Sequence, residues 1–127
     1  YIGDRFCAGM QMAAQLIKAR LGVEAITVDL GGWDSHISQG PAIIPDIGRL
    51  ANGLAAFRRD LGDEMLNTTV VVMSEFGRRV KENSVLGTDH GRGGVMFVMG
   101  GDGEEGKTIA DWPGLTEENL VAQEICR

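Results

Sequence analysis

The sequence predicts an α/β domain in which helices flank a mixed, mainly parallel sheet. Stretches with apolar residues at helical spacing alternate along the chain with short, mostly apolar runs, as expected when helices and strands alternate. The clearest of the short runs are apolar at successive rather than alternate positions, as in strands buried on both faces. The chain has 127 residues, a length that suits one domain or a piece of one.

The composition excludes several classes of protein. The chain is 43% hydrophobic and 24% charged, which is typical of a globular protein and not of a disordered one. Its formal net charge of −6 argues against nucleic-acid and anionic-membrane partners. No apolar run reaches the roughly 18 residues of a membrane helix. The two cysteines, Cys7 and Cys126, are too few for a disulfide scaffold, and the sequence leaves open whether they pair.

The first predicted elements are a helix over residues 5–21 and a strand over residues 24–30. Apolar side chains recur at helical spacing at Phe6, Met10, Ala13, Ile17 and Leu21. Gly22 follows as a stop signal for this helix. The run EAITVDL after it is short and mostly apolar, which favours a strand.

A second helix is predicted over residues 46–62, after a loop over residues 31–45. The loop contains a pair of glycines and two prolines, and Asp46 is a suitable N-cap for the helix that follows. Apolar side chains again recur at three-four spacing, at Ile47, Leu50, Leu54, Phe57 and Leu61.

Two further strands are predicted over residues 69–74 and 94–99, and a last helix begins at Thr116. Leu115 and Leu120 are spaced as a hydrophobic staple around that N-cap. The connection between the two strands is long, polar and without a helical stripe. Because a parallel crossover normally contains a helix, this connection favours a third strand that runs antiparallel to the second.

Five residues that could bind a metal lie at the ends of the predicted strands. Asp34 and His36 follow the first strand, Glu75 follows the second, and Asp89 and His90 precede the third. Ligands bind beyond the carboxyl ends of the strands in open α/β sheets. If the third strand is antiparallel, its start lies on that same edge, and we expect the five side chains to converge there.

Imidazole and carboxylate groups together suit zinc, manganese or iron. Such an ion can polarise a phosphoryl or sulfuryl oxygen or lower the pKa of a bound water, and Arg78, Arg79 or Arg92 could bind a tetrahedral anion. Plainer interpretations remain open, because a loop histidine is more often a surface residue. Asp34 could cap the glycine turn, and Glu75 could be a solvated carboxylate that pairs with a neighbouring arginine.

Residues 101–108, GDGEEGKT, match the pattern of a phosphate-binding P-loop after a strand. That loop requires a helix to start at once, whereas Pro113 and Gly114 leave room for scarcely a turn. The three acidic residues of the segment would also place negative charge against a triphosphate. An acidic hairpin or surface turn is therefore the favoured interpretation, with a P-loop nucleotide binder as the less favoured one.

Four blocks of the chain carry a resemblance over nearly its whole length: LGVEAITVDLGGWDSH, TVVVMSEFGRRVKEN, GTDHGRGGVMFVMGG and DWPGL. Together they resemble a bacterial family known as domain of unknown function 1501, which is grouped with the alkaline phosphatase and sulfatase superfamily. The resemblance implies a fragment of an alkaline-phosphatase-like three-layer sandwich. It also implies a periplasmic or cell-envelope location, because members are often exported through a twin-arginine signal.

The resemblance further implies roles for single residues. Asp34 and His36 look like the superfamily's first ligand pair, Glu75 occupies the place of the first member of a strand-end pair, and His90 looks like its late histidine. Phe76 stands where the superfamily usually has a metal-binding histidine. The nucleophile, a Ser, Thr or modified Cys in those enzymes, is expected from a segment outside this chain, so residues 1–127 are expected to form a single, incomplete domain.

The resulting hypothesis is a metal-dependent hydrolase of phosphate or sulfate esters, with a small anionic ester as substrate. Asp34, His36 and His90 are expected to bind a divalent metal, and Glu75 and Asp89 either bind it or orient the other ligands. Zinc is the expected ion, with manganese, iron or calcium as alternatives. Arg78 is expected to contact the anion. The alternative function is a non-catalytic secreted or envelope binding protein on the same scaffold.

Overall fold

The structure, a computed structural model, describes residues 4–101 and 106–120. Within these ranges the chain is mixed α/β, with two helices and two small sheets. In chain order the elements are α1 (Arg5–Lys18), α2 (Gln39–Leu61), a 3-10 helix (Gly62–Asn67), β1 (Thr69–Val72), β2 (Gly77–Arg78), β3 (His90–Gly91) and β4 (Phe97–Gly100). Neither α1 nor α2 combines the length and hydropathy that a membrane span needs.

Helix α1 lies close to its predicted position. Its N-cap is Asp4, whose side chain accepts a hydrogen bond from the backbone N–H of Cys7 at 3.1 Å. The helix ends before the predicted residue 21, because Arg20 takes a positive φ of 52°. Its buried face packs against α2, and the core consists of Phe6, Met10, Ala13, Ala14, Phe57, Leu61 and Met65.

Helix α2 begins at Gln39, well before the predicted start, so the prediction of Asp46 as its N-cap is wrong. Asp46 lies inside the helix, 8% exposed, where its carboxylate accepts a hydrogen bond from Arg49. The two prolines made this segment resemble a loop. Pro41, however, falls in the first turn, where backbone donors have no intrahelical partner in any case, so only Pro45 costs an internal hydrogen bond.

The predicted strand over residues 24–30 is not formed in the part of the chain that the structure describes. No strand is assigned there, and none of the backbone hydrogen bonds found outside helices and strands involves this segment. Val28 and Leu30 nevertheless pack against the core. The apolar side chains of this segment therefore contact the core, but the segment does not have the predicted secondary structure.

Strands β1 and β4 overlap the predicted strands 69–74 and 94–99 and are shorter. They pair antiparallel, with Thr69 opposite Gly100, which confirms the predicted direction of the third strand. The short strands β2 and β3 also pair antiparallel. The described sheets are thus antiparallel, and the mainly parallel sheet expected from the sequence is not formed within the described ranges.

The described part of the predicted last helix is a single hydrogen-bonded turn at Thr116. Thr116 accepts hydrogen bonds from the backbone N–H groups of Asn119 and Leu120, at 2.9 and 3.2 Å, which is the geometry of a first helical turn. Residues 121–127 lie outside the described residues, and with them Cys126 and any pairing with Cys7. Residues 102–105 of the P-loop-like segment also lie outside.

Candidate metal centre

The β2–β3 hairpin brings Arg78 beside His90. These two residues are paired in the register, and the backbone N–H of Arg78 donates to the carbonyl of Gly93 at 2.8 Å. The strands approach closely here, so that a Cβ at Gly77 would overlap the backbone of Gly93. The glycine-rich sequence around both strands therefore permits the tight pairing that presents His90 at the molecular surface.

The loop that carries Asp34 and His36 docks onto this hairpin just before α2 begins. The backbone N–H of Ser38 donates to the carbonyl of Val85 at 3.0 Å. Gly87 lies so close to His36 that a Cβ there would overlap the His36 carbonyl. The start of α2 and the hairpin are thus held together, and the two histidines of the chain meet between them.

Three atoms that could bind a metal form a nearly equilateral triangle. They are Asp34 Oδ1, His36 Nε2 and His90 Nε2. Asp34 Oδ1 lies 3.0 Å from His36 Nε2 and 3.1 Å from His90 Nε2, and the two nitrogens are 3.2 Å apart. Metal–ligand distances of about 2.0–2.1 Å place neighbouring ligand atoms roughly 2.8–3.4 Å apart in octahedral or tetrahedral geometry. The triangle therefore has the dimensions of one face of a coordination shell.

The three side chains are 43–58% exposed, so the outer side of the triangle faces solvent. The group meets the geometric requirement for a metal site, with one ligand atom from each residue within 4.8 Å of the others. A site with three protein ligands and an open side is the arrangement found in catalytic rather than structural zinc centres.

Asp89 lies behind His36 and outside the triangle. Its Oδ1 is 3.0 Å from the Nδ1 of His36, a contact in which the carboxylate accepts the Nδ1 hydrogen, and a metal bound at Nε2 would favour this tautomer. The pKa of Asp89 is lowered, first by this hydrogen bond and then by one from Asn83. Asp89 thus contacts the His36 ring from outside the triangle, and its expected role as a ligand or as an orienting residue stays a prediction.

Arg78 holds Asp34 and the loops on either side. One terminal nitrogen donates to Asp34 Oδ1 at 2.7 Å and to the carbonyl of Trp33 at 2.9 Å, and the other donates to the carbonyl of Thr88 at 2.7 Å. Hydrogen bonds from His90 and then Arg78 lower the pKa of Asp34. Arg78 therefore keeps Asp34 ionised and fixed, and its expected contact with a substrate anion stays a prediction.

Two residues at the site were not predicted as contributors. The ring of Phe76 stacks on that of His90, with centroids 3.9 Å apart and planes 20° apart, which fixes the imidazole from one side. The side chain of Asn83 bridges His36 and Asp89. Asparagine is a common turn residue, which marks Asn83 as a turn position but does not indicate its contacts with His36 and Asp89.

Glu75 is not among the three residues whose donor atoms converge. It lies between β1 and β2, before the hairpin that carries Arg78 and His90. Of the other two candidate arginines, Arg79 donates from Nε to the backbone carbonyl of His90 at 3.3 Å, and Arg92 follows β3. Of the five predicted metal-binding residues, the structure therefore brings four together: His36 and the three that contact it, Asp34, Asp89 and His90.

One family model, described as Protein of unknown function (DUF1501), matches residues 4–123. The match covers the whole candidate site and both helices. No curated protein and no solved structure matches the chain.

Proposed function

This chain belongs to the DUF1501 family, and we propose that it is a metal-dependent hydrolase of phosphate or sulfate esters. The observation that carries the proposal is the triangle of Asp34 Oδ1, His36 Nε2 and His90 Nε2, with edges of 3.0–3.2 Å. Two imidazoles with one carboxylate and an open side suit zinc above all, with manganese, iron or calcium as alternatives.

The residues around the triangle support a site that is prepared before a metal arrives. Asp89 contacts the Nδ1 of His36 and leaves Nε2 on the side of the triangle, and hydrogen bonds from His90 and Arg78 lower the pKa of Asp34. A bound divalent ion would supply charge stabilisation on a phosphoryl or sulfuryl oxygen and a lowered pKa for a water molecule. Glu75 has no geometric support as a ligand, because it does not belong to the triangle.

The proposal extends to the scaffold and the location. An alkaline-phosphatase-like three-layer sandwich with a mainly parallel sheet would place the site at a sheet edge, next to a nucleophile from another segment. A small anionic ester would be the substrate, and the periplasm or cell envelope would be the compartment. These points rest on the resemblance of the sequence blocks and not on the described sheets, which are antiparallel.

A non-catalytic binding protein on the same scaffold is the second candidate, and one observation favours it. The Phe76 ring stacks directly on His90, so an apolar group stands beside a ligand where the superfamily has a further histidine. The terminal nitrogens of Arg78 are also engaged by protein acceptors. A site with these features could hold a metal and an anion without turning over an ester.

Elemental analysis after zinc reconstitution tests the metal site. We expect near-stoichiometric zinc in the wild-type protein and its loss in the double variant His36→Ala, His90→Ala. Glu75→Gln is the matched control, because it removes a predicted ligand that lies outside the triangle, and it should keep its zinc. A wild-type protein without metal after reconstitution would contradict the proposal, and loss of zinc in the Glu75 variant would return that residue to the ligand set.

Turnover of aryl phosphate and aryl sulfate esters by the full-length, zinc-loaded protein separates the two candidates. The hydrolase proposal predicts turnover that His90→Ala abolishes without unfolding the protein, as checked by circular dichroism. Zinc binding without turnover of either ester class would favour the non-catalytic binding protein.

A further inference from the structure

The side chain of Asn83 uses all of its hydrogen-bonding capacity at the back of the candidate metal centre. Its Oδ1 accepts from the backbone N–H groups of Val85 and Gly87, both at 3.0 Å. Its Nδ2 donates to the backbone carbonyl of His36 at 2.9 Å and approaches Asp89 Oδ1 at 3.4 Å. Two donors on one side and two acceptors on the other allow one orientation of the amide.

These four contacts join the parts of the site that are far apart in sequence. Two of them shape the turn over residues 83–87, whose closure is completed by the Asn83 N–H bond to the Gly87 carbonyl at 2.8 Å. The other two reach His36, a ligand of the triangle, and Asp89, which orients the His36 ring. Asn83 itself supplies no atom to the triangle.

We propose that Asn83 is a positioning residue that sets where His36 Nε2 points, by holding the His36 backbone and the Asp89 carboxylate at the same time. This inference rests on the proposed metal site. It names a specific chemical requirement, since only an amide offers two hydrogens to one side and an oxygen to the other at this side-chain length. Aspartate keeps the oxygen but places a second carboxylate against Asp89.

Asn83→Asp is therefore the decisive variant, because it retains the acceptor for the turn, removes the donor and sets a negative charge against Asp89. Asn52→Asp is the matched control, since Asn52 is an exposed residue of α2 and the substitution adds the same charge. Each protein is titrated with zinc in competition with a chromophoric chelator. The ring nitrogens of His36 are observed by long-range proton–nitrogen NMR in the metal-free protein, which has two histidines to assign.

We expect Asn83→Asp to raise the zinc Kd by about 10–100-fold, the usual effect of losing a partner that orients a ligand. We also expect the ring-nitrogen chemical shifts of His36 in its metal-free form to differ from those of the wild type, because the Asp89 carboxylate that contacts Nδ1 loses the Asn83 donor. Asn52→Asp should change neither quantity. If Asn83→Asp does not fold, Asn83→Ser replaces it, because a hydroxyl still accepts a turn hydrogen bond.

An unchanged zinc Kd or unchanged His36 ring-nitrogen shifts in the folded variant would overturn the role of Asn83. The metal proposal can fail separately, since a wild-type protein that binds no zinc would contradict it. In that case the NMR measurement on the metal-free proteins still decides whether Asn83 positions His36.

Discussion

At the scale of single residues, the site depends on one carboxylate oxygen that several side chains share. Asp34 Oδ1 lies within 2.7–3.1 Å of Arg78, His36 and His90. Such a crowded acceptor keeps its negative charge, as the lowered pKa of Asp34 indicates. The cluster therefore carries its negative charge at the oxygen that faces both histidines.

Asp89→Asn tests whether the ring of His36 is oriented from behind. An amide at this position can still accept the Nδ1 hydrogen but lacks the charge that favours this tautomer, so we expect zinc affinity to fall by about 10–100-fold. Competition with a chromophoric chelator measures the change. Asp111→Asn, at an exposed position, is the control and should bind zinc as the wild type does. Equal affinity in both variants would remove Asp89 from the site.

The convergence of Asp34, His36 and His90 could be predicted from the sequence, because each lies beside a glycine-rich turn at the end of an apolar run. Asp89 was expected either to bind the metal or to orient another ligand, and both roles stay predictions. Asn83 and Phe76 could not be predicted as contributors, because their contacts depend on the β2–β3 hairpin. Glu75 shares the sequence signal of the others but is not among the residues whose ligand atoms converge.

At the scale of elements, the packing of α1 on α2 depends on one glycine. A Cβ at Gly53 would overlap the ring of Phe6, whereas one at Gly48 meets nothing within 4 Å. Helix propensity favours alanine over glycine by about 1 kcal/mol at either position. The two positions therefore separate the effect of packing from that of propensity.

We expect Gly53→Ala to lower the free energy of unfolding by roughly 1–3 kcal/mol, because overpacking outweighs the gain in propensity. Gly48→Ala should raise that free energy by up to about 1 kcal/mol. Urea denaturation followed by circular dichroism measures both changes. A stabilised Gly53 variant would mean that Phe6 can move away at little cost.

The N-cap of α1 should make the stability of the fold depend on pH. The N–H of Cys7 and the guanidinium of Arg49 lower the pKa of Asp4 below its ordinary value of 3.8. A carboxyl with a depressed folded-state pKa stabilises the fold above its unfolded-state pKa, and this contribution is lost as the pH falls through the folded-state pKa. Asp4→Asn keeps a cap acceptor but cannot titrate.

The difference in melting temperature between wild type and Asp4→Asn should therefore be largest near neutral pH and shrink below about pH 4. Thermal unfolding recorded across this pH range measures it. A difference that does not change with pH would show that the charge of Asp4 does not contribute to the stability of the fold.

The boundaries of the two helices were harder to predict than their existence. The periodicity of Phe6, Met10 and Ala13 predicted α1 almost to its ends. The early start of α2 was missed because proline normally indicates a loop, while the first turn of a helix tolerates it. The segment over residues 24–30 has a strand-like pattern but lacks a hydrogen-bonding neighbour among the described residues.

At the scale of the whole molecule, the helices cover one side of the β1–β4 sheet. Val70 and Met99 pack against the core, whereas Val71 and Val98 are 49% and 65% exposed. The expectation of strands buried on both faces is therefore wrong for these strands. An apolar run shows that a strand can be covered on both faces. Whether a second layer covers it depends on the tertiary structure, which the run does not encode.

The docking of the His36 loop onto the hairpin also has a consequence for folding. His36 and His90 are 54 positions apart in the chain, and α2 and β1 lie between them. An ion held by both would close this long loop and act as a cross-link that is removable with a chelator. Zinc would then raise the melting temperature in proportion to the logarithm of its concentration, so that the folded chain itself becomes a sensor of the free metal.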